Sequence, residues 1–103
     1  MYVPVTAEAF DDLPDWAAVD GVVHAGFVLP SYGAAAAFVS GIAEAADRAD
    51  HHPDIGITYP GVVTLSMTTH ARNGLTDADV RLAAEISRLA REHVAAPGRP
   101  PTA

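Results

Sequence analysis

The sequence predicts an α+β domain in which a four-stranded antiparallel sheet carries two long helices, and a short N-terminal helix, on one face. Two segments alternate apolar and other residues on either side of a turn dipeptide, which is typical of paired strands. Two other segments place apolar residues at helical spacing. The order along the chain is hairpin, helix, two strands and helix, which favours a sheet covered on one side.

The first strand pair is predicted between residues 16 and 29. Its turn is Asp20-Gly21, a dipeptide that tolerates the positive φ angles of a tight hairpin turn. The short helix is expected before this hairpin, at residues 6–13. A second strand pair is predicted over residues 55–69, where the apolar alternation is interrupted at Pro60-Gly61.

The first long helix is predicted over residues 32–49, with Ser31 as its N-cap. A residue before proline avoids the helical region, so we expect Pro53 to end this helix, with His51 in its last turn and His52 in an extended exit. The predicted apolar stripe consists of Ala35, Phe38, Val39, Ile42, Ala46 and Ala49.

The second long helix is predicted to begin after Thr76, with acids in its first turn. Its apolar stripe consists of Leu82, Ala83, Ile86, Leu89 and Ala90. We expect residues 1–94 to form a single domain and the proline-rich residues 95–103 to be a disordered tail. The open sheet edges favour pairing into a homodimer.

Composition narrows the classes of function. The formal charge of −7 and the pI near 4.9 disfavour binding to nucleic acid or to an anionic membrane. The chain has no cysteine, which removes thiolate chemistry and disulfides. Residues 1–12 lack a basic region followed by an apolar run, and no apolar run is long enough to span a membrane. We therefore expect a cytoplasmic protein.

Histidines form the main candidate site, because His51-His52 and His70 fall where a helix and a strand are expected to end. Imidazole titrates near neutrality and is suited to proton transfer. Asp47 precedes His51 by four residues, a spacing that is also typical of a simple ion pair on a helix. From spacing alone, the ion pair is the more frequent arrangement.

The remaining polar candidates are more simply interpreted as structural residues. A metal site formed by His51, His52, His70 and an acid is disfavoured, because the side chains of adjacent histidines diverge and no HExxH spacing is present. Asp79 is interpreted first as a member of a capping box with Thr76. His24 and His93 are interpreted as structural or solvated residues.

Several short motifs occur together in this sequence: Asp47, His51-His52-Pro53, Tyr59, Thr69-His70, Gly74-Leu75-Thr76 and Asp79. In this combination they resemble the pterin-4a-carbinolamine dehydratase family. His-His-Pro alone is a weak signal, but it is specific in combination with Thr-His and Gly-Leu-Thr at these distances. The resemblance is densest over residues 47–79 and extends more weakly over most of the chain.

The resemblance implies an activity and a set of site residues. Family members dehydrate 4a-hydroxytetrahydropterins to quinonoid dihydropterins, need no metal or organic cofactor, and are dimers or tetramers. His51, His52 and His70 are implied as catalytic residues, with His51 and His70 as the proton-transfer pair. The implied substrate-binding residues are Asp47, His51, His52, Pro53, Thr69, His70 and Ala71.

The chain departs from the family pattern at a few positions. Ala71 stands where an acid is common, and Arg72-Asn73 stand where smaller residues are common. Some relatives that have lost the histidines act as assembly chaperones. The alternative function is therefore a non-catalytic dimeric interaction module, and retention of the histidines argues against it.

Overall fold

The computed structural model describes residues 2–93 and 96–98. A 3₁₀ turn at Ala7–Phe10 precedes the sheet and helices. The strands are β1 Trp16–Val19, β2 Val22–Val28, β3 Asp54–Thr58, β4 Val62–Met67 and β5 Ala96–Gly98; the helices are α1 Tyr32–Ala49 and α2 Asp77–Glu92.

The sheet is antiparallel throughout, in the order β1-β2-β4-β3, which confirms the predicted four-stranded α+β architecture. Asp20 and Gly21 both have positive φ angles, 50° and 79°, as the hairpin turn between β1 and β2 requires. In the central pair, Ala25 lies opposite Leu65. Both side chains are buried, so one face of the sheet forms the floor of the core.

The core lies between this face and the two helices. Phe27 of β2 meets Phe38 of α1 edge to face, with ring centroids 5.5 Å apart. Trp16 is buried, and its indole N–H donates to Ser87 of α2 at 3.0 Å. All five residues of the predicted α2 stripe are buried, which confirms the helical spacing inferred for that segment.

Residues 96–98 differ from the prediction that residues 95–103 form a disordered tail. They form β5, which pairs with β2 opposite Gly26, Phe27 and Val28. Strand β1 pairs with residues 22–25 of β2, so the rest of that edge has free backbone groups for β5 to bind. Residues 94, 95 and 99–103 lie outside the described part of the chain.

Helix α1 spans Tyr32–Ala49 as predicted, but its end has a different cause. It stops because Asp50 adopts the left-handed conformation with φ 50° and ψ 43°, and not because of Pro53. The Asp50 N–H donates to the carbonyl of Asp47, and the His51 N–H donates to that of Ala46. This is the Schellman arrangement that usually has glycine at the left-handed position. His51 therefore lies outside the helix, not in its last turn.

Within residues 2–93 and 96–98, no helix is long and apolar enough to cross a lipid bilayer.

Candidate active site

The three histidines singled out in the sequence border a single concave cavity of about 250 Å³. It lies where the segment after α1 meets the segment between β4 and α2. We call it the histidine cavity; its lining residues are Tyr2, Asp50, His51, His52, Thr68, Thr69, His70 and Ala71.

The two adjacent histidines have different partners and different exposure. His51 is buried, with 7% of its surface exposed, and its Nε2 lies 2.7 Å from Oδ1 of Asp79. His52 is 58% exposed, and its Nε2 lies 2.9 Å from Oδ1 of Asp47. The predicted i,i+4 pair between Asp47 and His51 is therefore wrong. The left-handed turn at Asp50 removes His51 from the helix and brings His52 back towards Asp47.

Asp79 is fully buried and receives hydrogen bonds on both carboxylate oxygens. Oδ1 faces His51, whereas Oδ2 accepts from the Thr69 hydroxyl at 2.7 Å and from the Thr76 backbone N–H at 2.8 Å. The capping box predicted for Thr76 and Asp79 is present. Asp79 therefore caps α2 and binds a histidine of the cavity, a second contact that the sequence analysis did not predict.

The hydroxyl groups of Thr76 and Thr69 form a chain of hydrogen bonds in which each donor points towards Asp79. The Ala78 N–H donates to the Thr76 hydroxyl, and the Thr76 and Thr69 hydroxyls lie 2.7 Å apart. Because Thr69 uses its only hydroxyl proton on Asp79, the Thr76 hydroxyl must be the donor between the two threonines. The Thr69 hydroxyl and the Thr76 N–H thus both donate to Oδ2 of Asp79, and Oδ1 remains available to His51.

This arrangement sets the tautomer of His51. A carboxylate only accepts hydrogen bonds, so the Nε2 of His51 carries the proton that is donated to Asp79. In the neutral ring, Nδ1 then has a free lone pair. Nδ1 has no hydrogen-bond partner among residues 2–93 and 96–98, and the ring borders the histidine cavity. His51 can accordingly accept a proton at Nδ1.

His70 lies on the other segment that borders the cavity. It is exposed and begins a 3₁₀ turn, His70–Arg72, three residues after β4 ends at Met67. Thr69, which is 2% exposed, pairs with Gly74 across the turn and fixes its base.

The other predicted site residues differ in position. Ala71 lines the cavity, but Asp47 and Pro53 do not; Asp47 reaches it only through its bond to His52. Tyr59, which fits an aromatic position of the family pattern, is 80% exposed in the turn at the opposite end of β3.

Tyr2, Asp50 and Thr68 were not predicted as part of the site. Asp50 carried a signal, since aspartate tolerates the left-handed conformation better than most residues. Thr68 follows β4, next to the predicted Thr69-His70 pair. For Tyr2, the sequence contains no signal, because its position depends on contacts with residues more than 70 positions away.

Other cavities among the described residues contain fewer groups suited to proton transfer. One, of about 380 Å³, lies on the uncovered face of the sheet and contains only His24 and Asp54 as titratable groups. Another, of about 270 Å³, lies behind His51 and is bordered by Arg81 and Glu85. Within the described residues, no cluster of three or more histidine, cysteine or acidic side chains is arranged to hold a metal ion. The histidine cavity, by contrast, combines three imidazoles.

Comparison with known proteins shows the family of the chain. The family profile described as pterin 4 alpha carbinolamine dehydratase matches residues 4–89. The chain belongs to this family. A protein of Nocardia farcinica, provisionally named a pterin-4-alpha-carbinolamine dehydratase, is 45% identical over 85 residues, which are 82% of this chain and 88% of the relative. A Roseiflexus sp. protein with the same provisional name is 43% identical over 80% of this chain and 87% of its own length.

Solved structures show the same fold. A Brucella melitensis protein described as a transcriptional coactivator/pterin dehydratase superposes with a TM-score of 0.75 at 28% identity, covering 81% of this chain and 89% of its own. A pterin dehydratase-like RuBisCO assembly factor of the alpha-carboxysome superposes with a TM-score of 0.59 at 22% identity, covering 73% and 86%. The second likeness establishes the shared fold alone.

Proposed function

We propose that the protein dehydrates a 4a-hydroxytetrahydropterin to the quinonoid dihydropterin by histidine acid–base catalysis. The observation that carries the proposal is the histidine cavity, in which His51 is fixed by buried Asp79 while His52 and His70 stand on the same rim. Family membership supplies the substrate class.

The reaction requires two proton transfers. The C4a–O bond breaks, and the leaving oxygen takes a proton to become water. The N5–H bond also breaks, and its electron pair forms the C4a=N5 double bond. The site therefore needs one proton donor near the hydroxyl and one acceptor near N5, and each well-placed group contributes about 10²- to 10⁴-fold.

His51 is assigned as the proton acceptor in this scheme. Its Nε2–H is committed to Asp79, so the lone pair of Nδ1 receives the N5 proton. The resulting imidazolium remains beside the Asp79 carboxylate, which stabilises the positive charge in a buried position. The threonine donors on the other oxygen hold that carboxylate in place.

His70 is assigned as the proton donor to the leaving hydroxyl. It is exposed at the cavity rim, so it can regain its proton from solvent after each turnover. His52 is held by Asp47 and is assigned to orienting the pterin ring. Thr69 and Ala71 line the wall beside His70.

The test is the ultraviolet absorbance change as synthetic 4a-hydroxytetrahydropterin is consumed. We expect the protein to accelerate this step over buffer and the His51→Ala His70→Ala variant to lose the acceleration. A folded parent protein no faster than buffer would refute the proposal and favour the non-catalytic interaction module. A double variant as fast as the parent would refute the assignment of the two histidines.

We further propose that two copies of the chain associate through the open edge at β3. Within the described strands, β3 pairs only with β4, so its other edge has unpaired backbone groups. Light scattering should give a mass near twice that of the 10.7 kDa chain, or near four times for a tetramer. A monomeric mass would refute this assembly.

A further inference from the structure

We infer that Tyr2 is a substrate-contacting residue that forms an aromatic wall of the histidine cavity and binds the flat ring of the pterin. This inference rests on the proposed function and extends it to a residue outside the histidine motifs. Tyr2 lines the cavity and is partly buried, whereas Tyr32 and Tyr59 are 53% and 80% exposed.

The N-terminal segment, residues 2–5, is fastened to the chain just before α2. Val5 N–H donates to the Leu75 carbonyl at 3.1 Å, and Asp77 N–H donates to the Val3 carbonyl at 2.9 Å. In return, Val3 N–H donates to Oδ1 of Asp77 at 2.9 Å. Two backbone hydrogen bonds in antiparallel arrangement, and a third to the Asp77 carboxylate, thus fix the backbone next to Tyr2.

The charge of Asp77 strengthens this attachment. The Val3 N–H and the Arg81 guanidinium hold the pKa of the Asp77 carboxyl below its ordinary value of 3.8. Arg81 bonds to Oδ2 at 2.6 Å and leaves Oδ1 to the N-terminal segment. Hydrogen bonds to an ionised carboxylate are stronger than neutral ones, so the attachment is present at neutral pH.

The carboxylates that hold the N-terminal segment and His51 both lie in the first turn of α2. Asp77 holds the N-terminal segment, and Asp79, two residues later, holds His51. The Tyr2 and His51 rings consequently lie side by side, with centroids 6.2 Å apart and planes inclined by 48°. Because their planes are inclined, the two rings are not stacked on each other. Both rings border the cavity.

The ligand chemistry follows from this geometry. An aromatic wall beside a proton-accepting imidazole suits a flat, conjugated heterocycle whose reactive nitrogen lies at its rim. Tyrosine adds contact area at a low entropic cost, because only two side-chain torsions become fixed. A pterin has the required flat bicyclic ring, and the Tyr2 ring orients it towards His51.

The experiment measures binding of biopterin, an oxidised pterin that cannot undergo the reaction, by isothermal titration calorimetry. We expect Tyr2→Ala to raise the dissociation constant about 2- to 10-fold, as for loss of one aromatic contact, and Tyr2→Phe to leave it unchanged. The matched control is Tyr59→Ala, which removes an exposed tyrosine outside the cavity and should bind like the parent. Thermal unfolding of each variant checks the fold.

A second variant tests the anchoring. Asp77→Ala should also raise the dissociation constant for biopterin. The double variant Tyr2→Ala Asp77→Ala should bind biopterin no more weakly than Tyr2→Ala alone, because Asp77 acts through Tyr2. A parent that binds biopterin as tightly as a folded Tyr2→Ala variant would overturn this inference and leave the proposed function intact. A parent that binds no biopterin and catalyses no dehydration would overturn both.

Discussion

Replacement of Asp79 by asparagine distinguishes the two roles of this side chain, which caps α2 and bonds to His51. Asparagine has the same shape, so its oxygen can still accept from Thr69 and from the Thr76 N–H at the start of α2. Its NH₂ group then faces His51 and donates to Nε2. That bond requires the other tautomer, with the proton on Nδ1, which removes the lone pair that the mechanism needs.

The expected magnitudes differ for stability and catalysis. Asp79→Asn replaces the charge-assisted hydrogen bonds of a buried carboxylate, from His51, Thr69 and the Thr76 N–H, by neutral ones and should cost about 1–3 kcal/mol of unfolding free energy. Asp79→Ala leaves three buried donors without their acceptor, the Nε2–H of His51, the Thr69 hydroxyl and the Thr76 N–H, and should cost about 3–5 kcal/mol. Loss of the base should lower kcat of Asp79→Asn by about 10²- to 10⁴-fold.

The assay combines urea denaturation with steady-state dehydration kinetics of the parent and Asp79→Asn. Nitrogen-15 NMR of the imidazole rings reports directly which nitrogen of His51 carries the proton. We expect Nε2–H in the parent and Nδ1–H in Asp79→Asn. A folded Asp79→Asn protein that keeps kcat within about 3-fold of the parent would refute the assigned base.

Three further predictions concern residues around the cavity. Asp50→Val should lower the unfolding free energy in urea by about 1–2 kcal/mol, since a β-branched residue tolerates φ 50° poorly; an unchanged midpoint would contradict the cap. Asp47→Asn should raise KM more than it lowers kcat, because it loosens only the exposed His52; steady-state kinetics that show a kcat effect alone would contradict the orienting role. The Asp77 bond from Val3 lowers the folded pKa, so its stabilisation is present above pH 3.8 and is lost as the pH falls through the lower folded value. Asp77→Ala should therefore lower Tm at pH 7, and the difference in Tm from the parent should shrink only as the pH falls below 3.8; a difference independent of pH would contradict the ionic contact between Asp77 and the N-terminal segment.

The fold could be predicted because its signals are local. Asp20-Gly21 specifies the hairpin turn, and Ser31 and Thr76 cap α1 and α2 where the sequence indicates. The apolar spacing of α2 also identifies its buried face. Each of these features depends on residues a few positions apart, which a single sequence displays directly.

The partners of the histidines could not be predicted, because they depend on one backbone angle and on distant contacts. Pro53 was expected to end α1 with His51 still in its last turn. Instead, the left-handed Asp50 ends the helix and places His51 outside it, so that His51 bonds to Asp79 and not to Asp47. Asp79 was predicted to cap α2, which is correct, but its second oxygen meets a histidine 28 residues away. Spacing along the chain contains no information about that contact.

The most direct test of the proposed site compares two histidine variants in the dehydration assay. His51→Gln removes the assigned base from the histidine cavity, whereas His24→Gln removes an imidazole from the uncovered face of the sheet. We predict a loss of about 10²-fold or more in kcat/KM for His51→Gln and a rate close to that of the parent for His24→Gln. Equal rates for the two folded variants would contradict the assignment of the active site to this cavity.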